Sequence, residues 1–194
     1  MPLDVIILGP PGAGKGTQAS LIAEDAEIPH IATGDIIRAI KEQATDLGRE
    51  VKAVYDRGDL VSDGLMIELI RERLSHPDTD PGFVLDGFPR TLRQAESLDA
   101  LLEELDRGVA VVLHFQVPDD MAVNRLHGRA VAEGRSDDTP EVIRHRLDVF
   151  HQQTEPVIEH YRAQGILVGI HADRTVEEVF AEVQDVLQTA GAEP

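Results

Sequence analysis

The chain has 194 residues, enough to bury one hydrophobic core, and we expect one compact domain with inserts. The 36 acidic residues outnumber the 18 basic ones, and the formal net charge of −18 argues against non-specific binding to nucleic acid or to a membrane surface. Cysteine is absent and no apolar run reaches the roughly 20 residues of a membrane span, so we expect a cytoplasmic protein without disulfides or structural zinc.

Short runs rich in valine and isoleucine alternate with longer segments of helical periodicity, a pattern typical of an α/β fold with a parallel sheet flanked by helices. The five predicted strands are 4–8, 28–32, 83–85, 109–117 and 166–170. The predicted helices are 15–24, 62–74, 91–105, 119–127, 139–163 and 175–189. Thr175 and Glu178 fit a capping box, and Pro140 suits a first helical position.

Two segments interrupt this alternation: residues 33–61, which are polar and helical, and residues 128–138. We interpret both as inserts at the ligand edge of the sheet, within a single domain that spans residues 1–194.

The first strand leads into Gly9-Pro10-Pro11-Gly12-Ala13-Gly14-Lys15-Gly16-Thr17 and then into a helix. Glycines let backbone N–H groups surround phosphate oxygens, the helix N-terminus attracts negative charge, and the lysine reaches the outer phosphates. The sequence therefore predicts a phosphate-binding loop (P-loop). Gly16 stands where the generic pattern has serine or threonine, and this variant is found in nucleoside-monophosphate kinases.

Asp86 ends a predicted strand, where a P-loop protein places the acid that holds Mg²⁺, often through water. A lone aspartate after a strand is more often a helix cap. Because it accompanies a P-loop, we favour the metal role.

Several further motifs follow in order: Thr33-Gly34-Asp35-Ile36-Ile37-Arg38, Asp59-Leu60-Val61, Asp86-Gly87-Phe88-Pro89-Arg90 with Gln94, and the arginines 125, 129, 135 and 146. Together they resemble adenylate kinases over nearly the whole chain. The resemblance implies a P-loop kinase fold with an AMP-binding insert and a short lid. It also implies Mg²⁺-dependent transfer of a phosphoryl group from ATP to AMP, which gives two ADP.

The resemblance also implies the residues that bind AMP. Thr33 would lie near adenine and Arg38 on the α-phosphate, while Gln94 would read the adenine edge. The remaining AMP contacts would come from Asp59, Leu60, Val61, Gly87, Phe88, Pro89, Arg90, Arg135 and Arg146.

The resemblance likewise assigns ATP to the P-loop residues Gly12, Ala13, Gly14, Lys15, Gly16 and Thr17, and to Arg125, Arg129 and Arg174. Arg174 stands where many relatives have glycine, and it could stack on the base. The implied catalytic set is Lys15, Arg90, Arg125, Arg135 and Arg146. Asp137 and Asp138 could pair with arginines of a closed lid, and we expect a monomer.

Two alternatives remain open. A UMP/CMP kinase shares most of these motifs but often has alanine at the position of Thr33, so Thr33 and Gln94 favour AMP. A P-loop NTPase that acts as a conformational switch would leave the segments 33–38 and 90–94 without a purpose. The arginines outside the motifs are predicted to form surface ion pairs: Arg49, Arg57, Arg71, Arg73 and Arg107.

Overall fold

The computed structural model describes residues 2–133 and 139–190. A single five-stranded sheet forms the centre of this part of the chain, and all its strand pairs are parallel. The strand order is β2-β3-β1-β4-β5. The strands are β1 (Leu3–Leu8), β2 (His30–Ala32), β3 (Gly82–Asp86), β4 (Val111–Gln116) and β5 (Leu167–His171). The predicted α/β class and five-stranded parallel sheet are confirmed.

Helices connect the strands and cover both faces of the sheet. They are α1 (Lys15–Ala26), α2 (Thr33–Lys41), α3 (Asp46–Arg57), α4 (Asp63–Leu74), α5 (Leu92–Glu104), α6 (Asp119–Glu133), α7 (Pro140–Val149), α8 (Glu155–Ala163) and α9 (Val176–Ala190). None of the helices in residues 2–133 and 139–190 has the length and apolar character of a membrane span.

Alternate residues of each central strand contact opposite layers. In β1, Ile6 and Leu8 pack into a core with α4, α5 and α8, whereas Val5 and Ile7 pack into a second core with α1 and α9. Such burial on both faces explains why the strand sequences read as continuous apolar runs. In the strand order, β1 lies between β3 and β4. Ligands of open α/β sheets bind at the carboxyl ends of such central strands, so we expect the site at the end of β1.

The segment 139–163 was predicted as one helix, and this is wrong in detail. A π-helical turn, Phe150–Thr154, separates α7 from α8. Pro156 lacks a backbone N–H and its ring opposes the preceding turn, so a regular α-helix cannot pass through it unchanged. The wider π turn accommodates the proline and places Thr154 against Arg90, as described below.

The predicted helix ends are mostly correct. Glu178 N donates to Thr175 Oγ1 and Thr175 N donates to the Glu178 carboxylate, which confirms the capping box. The predicted helix 119–127 instead continues to Glu133, so the first part of the segment 128–138 is helical. Arg135, Asp137 and Asp138 lie outside the described residues.

One of the five arginines predicted to form surface ion pairs is buried. Arg49, Arg57, Arg71 and Arg73 do pair with nearby acids. Arg107 instead binds Asp4 through two hydrogen bonds of 2.5 and 3.0 Å, and the two side chains are only 9% and 0% exposed. The prediction failed because Asp4 and Arg107 are far apart in sequence and meet only when β1 enters the sheet.

Candidate active site

The P-loop follows β1 and runs into α1, whose first residue is Lys15. Gly12 has φ +86°, and a β-carbon there would lie 2.5 Å from the carbonyl oxygen of Ala122, so only glycine fits. Nζ of Lys15 donates to the carbonyl oxygens of Gly9 and Pro10, each at 2.8 Å. The loop thus holds its own lysine at the mouth of the anion-binding helix N-terminus.

The electrostatic setting of Lys15 suits a phosphate. The pKa of Lys15 is lowered to about 8, mainly by burial between the cleft walls; the charge of Asp86 opposes this shift, and the charges of Arg90 and Arg129 add to it. The ammonium group still carries its proton at neutral pH. A bound phosphate would replace the water that burial removes from this ammonium group, and its negative charge would favour the protonated form of Lys15.

Asp86 stands at the end of β3, beside the P-loop. Burial alone would raise the pKa of Asp86, but nearby His30 and Lys15 outweigh that effect and lower it. Nε2 of His30 lies 3.7 Å from Oδ2 of Asp86, too far for a hydrogen bond, and Nδ1 of His30 lies 3.3 Å from Ser20 Oγ. A β-carbon at Gly16 would lie 3.5 Å from the same carboxylate oxygen, an ordinary van der Waals distance, so Gly16 stands directly beside this acid.

The residues around Asp86 fit a magnesium ion bound with phosphates. An ionised carboxylate and the hydroxyl of Thr17 in the same cleft are hard oxygen donors, and Mg²⁺ commonly uses one or two such ligands plus substrate phosphates and water. No cluster of three or more histidine, cysteine or acidic side chains able to hold a metal occurs among the described residues.

A cavity of about 640 Å³ opens at the carboxyl edge of the sheet, between the P-loop, α2, α6 and α7. Although the chain has a net charge of −18, basic side chains are concentrated here, which suits a polyanionic ligand. Six of the 18 basic residues line it: Lys15, Arg38, Arg90, Arg125, Arg129 and Arg146.

A second, smaller cavity adjoins the first and is lined by Thr33, Leu60, Val61, Met66 and Gln94. Apolar walls with a buried amide and a buried hydroxyl suit a flat heterocycle with a polar edge. The two spaces meet at the residues that line both cavities, which are Gly34, Tyr55, Leu60, Gly87 and Arg90.

Arg90 is held at this junction by three contacts. Its Nε donates to Gly87 O at 2.7 Å, and its backbone N–H donates to Gln94 Oε1 at 2.7 Å. The hydroxyl of Thr154 donates to its carbonyl oxygen at 3.0 Å. The backbone of Arg90 is thereby fixed from α5 and from the π turn.

The comparison with known proteins agrees with this arrangement. The family model described as adenylate kinase matches residues 7–166. The chain belongs to the adenylate kinase family. Proteins named adenylate kinase from Kocuria rhizophila and Leptospira biflexa are 47% and 49% identical, over 95% and 90% of this chain and 98% and 94% of theirs. One from Methanosarcina acetivorans is 38% identical over 95% of this chain and 98% of its own.

In this adenylate kinase fold, α6 presents its predicted arginines to the cleft. Arg125 and Arg129 are one helical turn apart, and both line the larger cavity, so they share a face of the helix. Arg125 also donates to the carbonyl oxygen of Ala172 at 2.8 Å. That contact joins α6 to the segment after β5.

The arginines on the opposite wall surround Tyr55, a residue that the sequence analysis missed. Arg38 donates to the Tyr55 hydroxyl at 3.3 Å and pairs with Asp35. The guanidinium of Arg146 lies 5.4 Å from the centre of the Tyr55 ring. Tyr55 therefore contacts two arginines that are predicted to bind phosphate, one through its hydroxyl and one through its ring.

Three other residues predicted to contact nucleotides are paired or buried within the protein. Arg174 pairs with Glu182 and does not line either cavity. Phe88 is 1% exposed and packs in the core. Asp59 is among the residues that line the smaller cavity, but its carboxylate pairs with Arg57 and His145. Roles for these three residues in nucleotide binding stay predictions, as does that of Arg135.

Proposed function

We propose that this member of the adenylate kinase family transfers the terminal phosphoryl group of MgATP to AMP, reversibly, giving two ADP. Family membership supports this activity, and one observation supports it most directly. A P-loop cavity and a smaller apolar cavity meet at Arg90, so a donor phosphate chain and an acceptor nucleotide could approach each other there.

On the donor side, the backbone of the P-loop and the ammonium of Lys15 would hold the β- and γ-phosphates. Residues 12–17 form the loop and the start of α1, and the ammonium group of Lys15 already donates to two carbonyl oxygens of the loop. Arg125 and Arg129 would bind the phosphates from α6. Asp86, with Thr17, would hold a magnesium ion that neutralises phosphate charge.

On the acceptor side, Thr33, Leu60, Val61 and Gln94 would enclose adenine in the smaller cavity, and Arg38, Arg90 and Arg146 would bind the phosphate of AMP. Guanidinium groups match phosphate oxygens geometrically and keep their charge at every working pH.

The reaction needs no general base, because a phosphate oxygen of AMP is already ionised near neutral pH. This chain would therefore act by positioning the reactants in line and by offsetting negative charge with Lys15 and the arginines. We infer that the inserts 33–61 and 128–138 close over the nucleotides and exclude water, which would otherwise accept the phosphoryl group.

We also propose that the protein is a cytoplasmic monomer. The absence of cysteine fits a reducing compartment. Light scattering after gel filtration would test the monomer, and a species of twice the 21.2 kDa chain mass would contradict it.

One assay tests the proposed activity against its rivals. Purified protein is incubated with MgATP and AMP, UMP, CMP or GMP, and ADP formation is measured by a coupled assay. We expect rapid ADP formation when AMP is the acceptor and little with UMP, CMP or GMP. Preference for UMP or CMP would favour a pyrimidine kinase, and slow hydrolysis that no acceptor stimulates would favour a nucleotide-dependent switch.

A further inference from the structure

The side chain of Gln94 joins two helices that are distant in sequence. Gln94 lies in the first turn of α5, is only 2% exposed and lines the smaller cavity. Its Oε1 accepts a hydrogen bond from the backbone N–H of Arg90 at 2.7 Å. Its Nε2 donates to Oδ1 of Asp63 at 2.8 Å. Asp63 is the first residue of α4 and does not line the cavity.

The polarity of this network is fixed at both ends. A backbone N–H can only donate, so the amide atom facing Arg90 must be the oxygen. At the other end, Thr91 Oγ1 accepts the capping hydrogen bond from Gln94 N at 3.2 Å, so its own hydrogen is free to reach Oδ1 of Asp63, at 3.0 Å. Oδ1 is thus an acceptor, and the amide atom facing it must be nitrogen.

Rotation of the Gln94 amide by 180° would break both hydrogen bonds. It would place an N–H group against the N–H of Arg90, and an oxygen against the carboxylate of Asp63. Buried polar groups left without partners are costly, and contacts that involve a charged group are the most costly. The amide therefore has one stable orientation.

The fixed orientation matters for the base that the amide contacts. After its two internal hydrogen bonds, Gln94 keeps one N–H donor and one oxygen lone pair. Adenine offers an acceptor at N1 beside a donor at its 6-amino group. A 6-oxo purine offers the reverse, a donor at N1 beside an acceptor at O6. An amide that could rotate would accept either base.

We propose that Asp63 is a positioning residue that makes this site select a 6-amino purine over a 6-oxo purine. It acts through Gln94 by holding Nε2 in place, and it touches neither nucleotide. The inference rests on the proposed function, in which AMP occupies the smaller cavity.

The test is the variant Asp63→Asn. Asparagine keeps the size of the side chain but can present either oxygen or NH₂ to Gln94. In this variant the N–H of Arg90 is the remaining contact of the network that opposes rotation of the Gln94 amide. The measurements are kcat/KM for AMP and for inosine monophosphate, a 6-oxo purine, at saturating MgATP, together with KM for ATP. We expect the ratio of kcat/KM for AMP to that for inosine monophosphate to fall about tenfold, with KM for ATP unchanged.

A matched control is Asp46→Asn. Asp46 is also an acid in the first turn of a helix, α3, but it is exposed and pairs with Arg49. This variant removes the same charge from the same kind of position and should keep the wild-type ratio.

An unchanged ratio in folded Asp63→Asn overturns the inference, and so does an equal loss with both acceptors, which would indicate a purely structural role. If Asp63→Asn does not fold, Asp63→Ser gives the same comparison. If the wild-type protein does not phosphorylate AMP, the proposed function itself is wrong. If it does, the ratio measured for Asp63→Asn tests the Asp63 assignment separately.

Discussion

The hydroxyl of Thr154 donates to the carbonyl oxygen of Arg90 across 3.0 Å, although 64 residues separate them in sequence. Thr154 is the last residue of the π turn and is 6% exposed. The irregular turn between α7 and α8 thus reaches the arginine at which the two cavities meet. A π turn near a functional site is a recurrent feature of helices.

We expect Thr154→Val to lower kcat with AMP by about tenfold, because valine keeps the shape but leaves the Arg90 carbonyl without its donor and loosens a residue that must be well placed. KM for ATP should change little. Steady-state kinetics check this, with Thr154→Ser as the control that restores the hydroxyl. Wild-type kcat in folded Thr154→Val would show that Arg90 is held well enough by Gly87 and Gln94.

Lys15→Met should leave the fold intact and lower kcat by about 10²–10³, the usual cost of removing one preorganised charge from a transition state. The melting temperature of the nucleotide-free protein measures the fold, and the coupled assay measures turnover. A folded variant with near wild-type kcat would contradict the P-loop assignment.

Thr33→Ala should raise KM for AMP about tenfold and narrow the preference for AMP over CMP, with little effect on KM for ATP. Thr33 lines the smaller cavity, and its hydroxyl donates to the Asp86 carbonyl oxygen at 3.0 Å, so its loss also leaves a backbone acceptor unpaired. Thr33→Ser should behave like the wild type. An unchanged acceptor profile in Thr33→Ala would place selectivity elsewhere.

Local patterns in the sequence were enough to predict the strands, the P-loop and the capping box at Thr175. These features depend on residues close together in sequence. The π turn, the Arg107–Asp4 pair and the contact from Asp63 to Gln94 depend instead on residues that meet only after the chain has folded. Asp63 follows Ser62 at the start of a helix, where an acidic residue is common because it interacts favourably with the helix dipole. No local signal distinguished it.

The buried pair between Arg107 and Asp4 predicts a large loss of stability when one partner is removed. Arg107→Met leaves the carboxylate of Asp4 buried without its partner, and we expect the free energy of unfolding to fall by about 3–5 kcal/mol. Denaturant unfolding measures it. The double variant Asp4→Val with Arg107→Met should recover most of the loss, because no unpaired charge remains.

Arg71→Met is the control for that experiment. Arg71 pairs with Glu104 on the exposed surface, where water already solvates both charges, so this variant should unfold at nearly the wild-type denaturant concentration. Equal losses for the two arginines would mean that burial of the Asp4 pair carries no special cost.

His151 predicts a pH dependence of stability. Its Nδ1 lies 2.6 Å from Glu155 Oε1 and its Nε2 lies 3.0 Å from Asp119 Oδ2, so both ring nitrogens face carboxylates at the junction of α6, the π turn and α8. The hydrogen bond with Glu155 raises the pKa of His151, burial opposes this shift, and Asp119 raises the pKa further.

Because the folded pKa is raised, the stabilisation by His151 is fully present below the unfolded value of about 6.5 and is lost as pH rises through the higher folded pKa. The side chain is 39% exposed, so screening limits the effect to about 1 kcal/mol or less. We expect the difference in free energy of unfolding between wild type and His151→Gln, measured by denaturant unfolding, to shrink as pH rises from about 6 to about 9. This range brackets the unfolded histidine pKa of about 6.5. His127→Gln, which also removes an imidazole from α6, is the matched control variant. A difference that grows with pH would contradict the assigned charge state of His151.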